Sequence, residues 1–392
     1  MKHEVVKTRY GMMNIPTSDA VLGPSLRLYG EWAQDEIEGL VKFLKDGDVI
    51  IDAGANIGTH TLGFAPAIAP SGRVYSFEPQ ADIYELLHQN CSINYYASNI
   101  ATYCHPLSNV SGKKYLIPVF DDNNIHNFGA AQLAAEVEDK ILSTESSESM
   151  SLDGLNLDSC RLIKLDVEGM ELEVLNGAET LIRKYKPLIF FEANKIPSTW
   201  KIIQKFIPFG DYSVRVVILD AFSSQNFNEN KLNIFSDYQE ASILLYNERE
   251  NTLVETAFKK SIRITNYAEL AIALAVLCRR PPGHPLADLA SCDSEFKDIF
   301  NYNFNSLATS MLPELIYQRE KNAALSQENA ALSQENATLS QENATLSQEL
   351  NIQRETCKVL SEHLRKYQMF PLIRFIRKLR SIVFLFAHFE KH

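Results

Sequence analysis

The stretch Asp48-Val-Ile-Ile-Asp-Ala-Gly-Ala-Asn-Ile-Gly-Thr-His60 constrains this chain more than any other. Val49 to Ile51 form a short apolar run that ends in small residues and opens into a helical pattern, the way a buried parallel strand feeds a crossover helix. One such unit later stands Arg73-Val-Tyr-Ser-Phe-Glu-Pro79. In an open α/β sheet, ligands bind where strand ends meet helix N-termini, and Gly54 and Gly58 let the backbone come close to one. Glu78, which closes the second apolar strand, is placed to accept hydrogen bonds from a ribose diol. The pattern predicts a nucleotide-type cofactor held by an α/β fold.

Departures from known fingerprints narrow the cofactor. A dinucleotide loop needs glycine where this chain has Asn56, because a side chain there meets the pyrophosphate. A P-loop is excluded, since no Gly-Lys-Ser/Thr follows the strand. What remains is acidic: Asp52, Glu78, Asp166, Glu168 and Glu192 all fall at predicted strand ends. Carboxylates suit a cation better than a phosphate.

Four blocks occur in order: Asp52-Ala-Gly-Ala-Asn-Ile-Gly58, Phe77-Glu-Pro79, Leu165-Asp-Val-Glu-Gly169 with Glu171-Leu-Glu-Val-Leu-Asn-Gly177, and Phe191-Glu192. Together they resemble the FkbM-type S-adenosylmethionine-dependent methyltransferases, between Val49 and Tyr246. The resemblance implies a class I methyltransferase fold: a Rossmann-like α/β sheet with helices on both faces. It also implies a sulfonium cofactor and methyl transfer to a hydroxyl of a sugar or related metabolite. On the matching positions it implies cofactor contacts at Asp52, Gly54, Asn56, Gly58, Thr59, Glu78 and Asp166. In the resembled family the third strand end lies near the adenine, which makes His105 a base contact, with an ordinary loop histidine as the alternative.

Ahead of the glycine loop, residues Met1 to Lys45 read as a strand or hairpin and then a helix, Glu31 to Leu44, whose Ile37, Leu40, Val41 and Leu44 recur at helical spacing. This segment could cover the cofactor pocket, with Tyr10, Tyr29 and Trp32 lining the lid or serving as plain core. Past Glu78, a helix at Ala81 to Asn90 leads to a strand at Ile100 to Cys104, and Tyr115 to Phe120 reads as a further strand. Thr144 to Ser149 reads as a solvated loop, and Asn123, His126 and Asn127 are acceptor-side candidates on a loop insertion.

Leu162 to Leu165 is the fourth strand of the fold, and alternation would put Lys164, Asp166 and Glu168 on one side if strand geometry persists. Leu188 to Phe191, ending at Glu192, is the fifth, and Val214 to Leu219 and Ala241 to Tyr246 supply two late strands. The sulfonium carries an activated methyl, so the protein must align an acceptor oxygen and take up its proton. Asp166, Glu168 or Glu192 could be that base, or Lys164 if its pKa is depressed. A divalent cation on Asp166, Glu192 and Asn194 is a second arrangement, since hard oxygen ligands suit Mg²⁺, but no metal is assigned.

The chain divides on sequence into residues 1–247, a methyltransferase domain; 248–314, a helical appendage broken at Arg279 to Gly283; 315–363, a coiled coil; and 364–392, a basic tail. Leu325, Leu332, Leu339 and Leu346 stand seven apart with Asn322, Asn329, Asn336 and Asn343 three residues ahead of each, a heptad with Leu at d and Asn at a. That pattern favours a parallel dimer, with a trimer as the alternative and a single solvated helix as the plain reading. In the tail, Arg374, Arg377, Lys378 and Arg380 interrupt an apolar series that includes Phe375, Ile376, Leu379 and Ile382. A spanning helix needs about twenty predominantly apolar residues, so a helix lying in the headgroup plane fits better.

Net charge −11 argues against a nucleic-acid partner. Six scattered cysteines without zinc spacing read as free thiols in a reducing cytosol, and the N-terminus lacks the apolar core of a signal peptide. The combined expectation is a cytoplasmic, self-associating O-methyltransferase on the inner membrane face, acting on a lipid-linked or surface glycan. A soluble small metabolite as acceptor, and a non-catalytic scaffold, are the rivals.

Overall fold

Val49-Ile-Ile, Leu162-Ile-Lys-Leu165 and Leu188-Ile-Phe-Phe191 are apolar without polar alternation, as strands covered on both faces must be. The structure, a computed structural model, describes residues 1–120, 125–130, 143–193, 195–236 and 238–274, and scattered helical positions between 334 and 380. Two compact units divide the chain, Met1–Asn305 and Ser306–His392. Everything that follows on fold and site concerns the first.

The hairpin β1 (His3–Thr8) and β2 (Gly11–Pro16) comes first, then α1 (Leu22–Tyr29) and α2 (Gln34–Val41). Next come β3 (Val49–Ala53), α3 (Thr59–Ile68), β4 (Arg73–Phe77), α4 (Ala81–Ile93) and β5 (Ile100–Tyr103). A two-stranded ribbon follows, β6 (Lys114–Val119) with β7 (Ser143–Glu148). The chain then re-enters the main sheet with β8 (Leu162–Leu165), α5 (Glu171–Asn176), α6 (Glu179–Tyr185), β9 (Leu188–Glu192), α7 (Ile196–Gly210), β10 (Tyr212–Asp220) and β11 (Gln239–Asn247). The helices α8 (Asn251–Ala257) and α9 (Tyr267–Ile272) flank β12 (Ser261–Ile264).

Eight strands lie in the order β12-β10-β11-β9-β8-β3-β4-β5. β5, β4, β3, β8 and β9 are mutually parallel, while β11 runs antiparallel between β9 and β10. This is a Rossmann-like sheet with a reversed strand inserted before its edge, and its order reverses between β3 and β8. Alternate residues feed two cores. Ile50, Leu162, Leu188, Phe190 and Leu244 face one, with α2 and α3, and Ile51, Ile163, Leu165, Ile189, Phe191 and Ile243 face the other.

Three expectations change. The α2 helix is shorter than Glu31 to Leu44, because Glu31 is drawn off to Arg9 (2.7 Å) and to the Phe227 backbone N–H (2.9 Å). Thr144 to Ser149 is not a loop: β7 pairs in register with β6, whose Tyr115 and Ile117 supply the buried face while β7 contributes mainly backbone. That is why its polar sequence hid it. Residues 248–274 are not purely helical, since β12 pairs with β10 as the eighth strand of the sheet. The break at Arg279 to Gly283 lies outside the described residues, as do the heptad leucines and asparagines, and Ile376 to Arg380 is the one described helical run of the tail. Among the described residues no helix is long and apolar enough to cross a membrane.

The junction of β3 and β8 is crowded. Gly54 adopts φ +77°, and a Cβ there would stand 1.7 Å from the Asp166 carbonyl oxygen, while Asp166 N–H donates to the Ala53 carbonyl (2.9 Å). Gly54→Ala is therefore expected to destabilise the fold by roughly 3 kcal/mol. A urea titration checks this, and an unchanged midpoint would contradict the packing described.

Candidate active site

At the C-terminal ends of β3, β4 and β8 lies an open cavity whose lining includes Gly54, Asn56, Glu78, Gln80, His105 and Phe128. The turn after β3 is built for close approach. Gly54 and Ala55 N–H both donate to the Phe77 carbonyl (2.9 Å each), and Asn56 takes the left-handed conformation at φ +49°. Asn56 N–H then donates to Glu78 Oε2 (3.1 Å) and Gln80 N–H to Glu78 Oε1 (2.9 Å). Those bonds fix the carboxylate at the cavity wall. Burial lifts the Glu78 carboxyl to about 7, against the opposing pull of the Gln80 and Asn56 N–H groups. A donor such as a diol would favour its ionised form.

The roof comes from far away in sequence. Ala20 N–H donates to the His126 carbonyl (2.8 Å) and His126 N–H to the Ser18 carbonyl (2.9 Å), so the N-terminal segment holds the loop that carries Phe128 and Gly129 over the cavity. Gln80 Nε2 donates to the Phe128 carbonyl (3.0 Å), leaving Gln80 Oε1 buried without a partner at this wall. Gln80 was not among the residues expected from sequence, and only its place two residues after Glu78 hinted at it. His105 lines the cavity, with Nδ1 donating to the Glu148 carbonyl (2.8 Å). His126 is committed to the N-terminal segment, and Asn123 and Asn194 lie outside the described residues.

The structure separates the remaining expected residues. Gly54, Asn56, Glu78, His105 and Asp166 line the cavity, whereas Asp52, Gly58 and Thr59 do not. Asp52 is fully buried, accepts from Thr61 Oγ1 (2.6 Å) and faces Lys164 Nζ at 3.7 Å; its work is structural. Gly58 sits where a Cβ would press on Leu87, and Thr59 is buried at the start of α3. Lys164 is corrected as a base. Burial alone would lower its pKa, but Asp166 and Asp52 outweigh burial and hold the ammonium charged.

Asp166, Glu168 and Glu192 bring carboxylate oxygens within 4.8 Å of one another. Simple alternation does not do this. The strand ends at Leu165, and Glu168 turns in through a left-handed backbone at φ +48°. Burial first, then the Asp166 and Glu171 carboxylates, raise the Glu168 carboxyl to about 7. Such a group is close to half ionised near neutrality, as a general base needs.

Next to these carboxylates in strand order is a second open cavity, formed by the segment from Ser25 to Glu36 and the facing ends of β10 and β11. Tyr29 and Trp32 line it, not the cofactor cavity they were expected to cover. At its inner side Glu36 Oε1 stands 2.9 Å from His60 Nε2, a close contact that lacks hydrogen-bond alignment. Burial raises Glu36 to about 8 and lowers His60 to about 3, so between those values both are neutral and the pair is not a salt bridge. Neither residue carried a motif; tertiary packing alone joins them.

Residues 52–233 match the methyltransferase FkbM domain. The matched stretch starts at Asp52 and contains Glu78, Asp166, Glu168 and Glu192, while the Ser25 to Glu36 side of the second cavity precedes it. The methyltransferase sdnD of Sordaria araneosa is 28% identical over 163 residues, 35% of this chain and 62% of that protein. The hexuronic acid methyltransferase AglP of Haloferax volcanii is 30% identical over 144 residues, 37% of this chain and 55% of that protein. The chain thus spans less than two thirds of either relative. The crystal structure of methyltransferase FkbM from Methylobacillus flagellatus aligns with 53% of this chain and 48% of its own at 17% identity, with a TM-score of 0.35.

The buried pair behind the second cavity makes a pH prediction. A carboxyl raised from 4.5 to about 8 contributes stability that is fully present below 4.5 and lost as pH rises through 8. Glu36→Gln should therefore stabilise the protein relative to wild type at pH 8.5 more than at pH 5, as roughly ordered by linkage. Urea titrations at the two pH values measure this, and an equal shift at both would contradict a neutral buried Glu36.

Proposed function

We propose that this chain transfers the methyl group of S-adenosylmethionine to a hydroxyl of a sugar. The observation that carries the reading is Glu78, fixed by two backbone N–H groups at the wall of a strand-end cavity inside the matched FkbM domain. Its lone pairs suit a ribose diol. Gly54 and Asn56 supply the close backbone, Phe128 an apolar face for the base, and Gln80 Oε1 a free acceptor beside it. When bound, the sulfonium supplies an activated methyl; its positive charge suits the flanking Asp166.

The chain's own part is to position and to accept a proton. The bound sulfonium would supply the methyl and keep the electron pair of the cleaved carbon–sulfur bond on its sulfur, and Glu168 is the group that takes the acceptor's hydroxyl proton. Burial first, and then the Asp166 and Glu171 carboxylates, hold Glu168's pKa near the working range. The same three groups offer oxygen donors of the kind a hard divalent cation takes, but this transfer needs none. The relative named for hexuronic acid supports a sugar as the acceptor class.

Self-association and membrane attachment belong to the proposal as well. The Leu325 to Leu346 heptads favour a parallel dimer, and the cationic, aromatic tail from Leu364 to His392 favours the inner membrane face, where a lipid-linked or surface glycan would be presented. Full-length protein with methyl-labelled S-adenosylmethionine should label a lipid-linked glycan fraction, and Glu168→Gln should slow labelling by about 10²–10⁴-fold while cofactor binding persists. Removing residues 364–392 should reduce labelling of vesicle-borne acceptor alone. Undiminished transfer by Glu168→Gln would sink the assignment of the base, and unchanged vesicle labelling after truncation would sink the membrane role.

A further inference from the structure

The loop between β10 and β11 is built inside out. Both β9 and β10 run antiparallel to β11, so this loop leaves the sheet at the edge where β9 ends in Glu192. Its polar residues turn inward. Asn226 is buried, donating through Nδ2 to the Ser223 and Asn230 carbonyls (2.7 Å each) and accepting from the Asn230 N–H (2.9 Å). Its large apolar side chains turn outward, with Phe227 37%, Leu232 61% and Ile234 42% exposed. A single exposed apolar side chain is ordinary, but several on one ordered loop mark a contact surface.

Backbone and charge say what the surface suits. The N–H groups of Phe227, Leu232 and Ile234 are all spent inside the protein, on Glu31 Oε2 (2.9 Å), Asn230 Oδ1 (3.0 Å) and the Tyr29 hydroxyl (2.9 Å). That hydroxyl in turn donates to the Leu232 carbonyl (2.8 Å). A protein partner is met with open hydrogen-bonding groups, about one bond per 100–200 Å² of contact, whereas lipid chains offer none and require the backbone to be satisfied internally. Cations flank the apolar side chains. Lys7 Nζ lies 5.8 Å from the centre of the Phe227 ring, and Lys231 Nζ donates to the Ser224 carbonyl (2.7 Å). Among the described residues neither lysine has a carboxylate partner, while Arg9, also over that ring, is paired with Glu31. Glu229 is the one acid between Ala221 and Ser236, in a chain of net charge −11. Apolar side chains set among cations are what binds the headgroup region of an anionic bilayer. We propose that this loop docks on an anionic lipid surface, with Phe227, Leu232 and Ile234 entering the headgroup–acyl boundary and Lys7 and Lys231 meeting lipid phosphates. The sheet edge that carries the carboxylates then faces a membrane-borne acceptor, and for that acceptor alone the proposal rests on the reading above. The contact belongs to the folded unit and is additional to that of the tail.

The test uses full-length protein with vesicles of phosphatidylcholine, alone or mixed with phosphatidylserine. Leu232→Trp puts an emitting ring on the loop, and lipids brominated on their acyl chains quench it only on contact. The emission this variant adds to that of wild type should be quenched by brominated mixed vesicles. Combining Phe227→Ser, Leu232→Ser and Ile234→Ser should weaken sedimentation with mixed vesicles by about 10-fold or more, with the urea midpoint unchanged. Lys7→Gln and Lys231→Gln should each cost about 5-fold, on the mixed vesicles alone. Vesicle binding without quenching at the loop would overturn the proposal and leave the tail's attachment in place. No vesicle binding by the full-length protein would overturn both. Unchanged vesicle affinity of the serine variant, with loss of self-association instead, would give the face to a second copy of the chain and overturn the lipid contact.

Discussion

The charged Lys164 side chain, buried between Asp52 and Asp166, is the interaction on which the rest of the site depends. Its ammonium lies 3.7 Å from Asp52 Oδ1 and 3.4 Å from Asp166 Oδ2, and the side chain is only 4% exposed. A buried charge stays in place only if it is paired, and removing one partner of such a pair costs about 3–5 kcal/mol. Here pairing ties the end of β3 to the end of β8, where the sheet order reverses. Thr61 and Ser76 complete the ring around Asp52, so α3 and β4 are held to the same point. The glycine turn and Glu168 both hang from this knot.

Two kinds of carboxylate follow from it. Asp52 sits inside the knot and stays structural, whereas Glu78, Glu168 and Glu36 are desolvated at cavity walls and hold raised pKa values. Grouping acids around one lysine lets a site carry negative potential without collapsing its own geometry. A sulfonium would be drawn to such a field. The two cavities sit at strand ends of one sheet edge: Asp166 and Glu168 line the first, and Glu192 ends β9, the strand next to β11 of the second. That arrangement puts a proton acceptor where donor and acceptor molecules would meet.

Much of this was legible in the residues. Apolar runs such as Val49 to Ile51 and Leu188 to Phe191 read as strands covered on both faces, and Gly54 and Glu78, legible from their blocks, line the cavity. The misses share a cause. Lys164 looked like a base because sequence cannot show that the Asp166 and Asp52 carboxylates outweigh its burial. Asp52 looked like a ligand contact because a carboxylate at a strand end can point either to the cavity or beneath it. Ser143–Glu148 has no apolar alternation, so its strand is specified only by its partner β6. Glu36 and His60 stand twenty-four residues apart in different helices, and only packing makes them neighbours.

The central claim is that the wall built around Glu78 holds S-adenosylmethionine. Isothermal calorimetry of the full-length protein with this ligand tests it most directly, run beside Glu78→Gln, which keeps the side-chain shape and removes the charge. The account predicts a dissociation constant on the order of micromolar for wild type. It also predicts a weakening of about 10-fold or more in the variant, the loss of charge-assisted hydrogen bonds to a diol. A folded wild type that takes up no S-adenosylmethionine, or a variant that binds it equally well, would contradict that account.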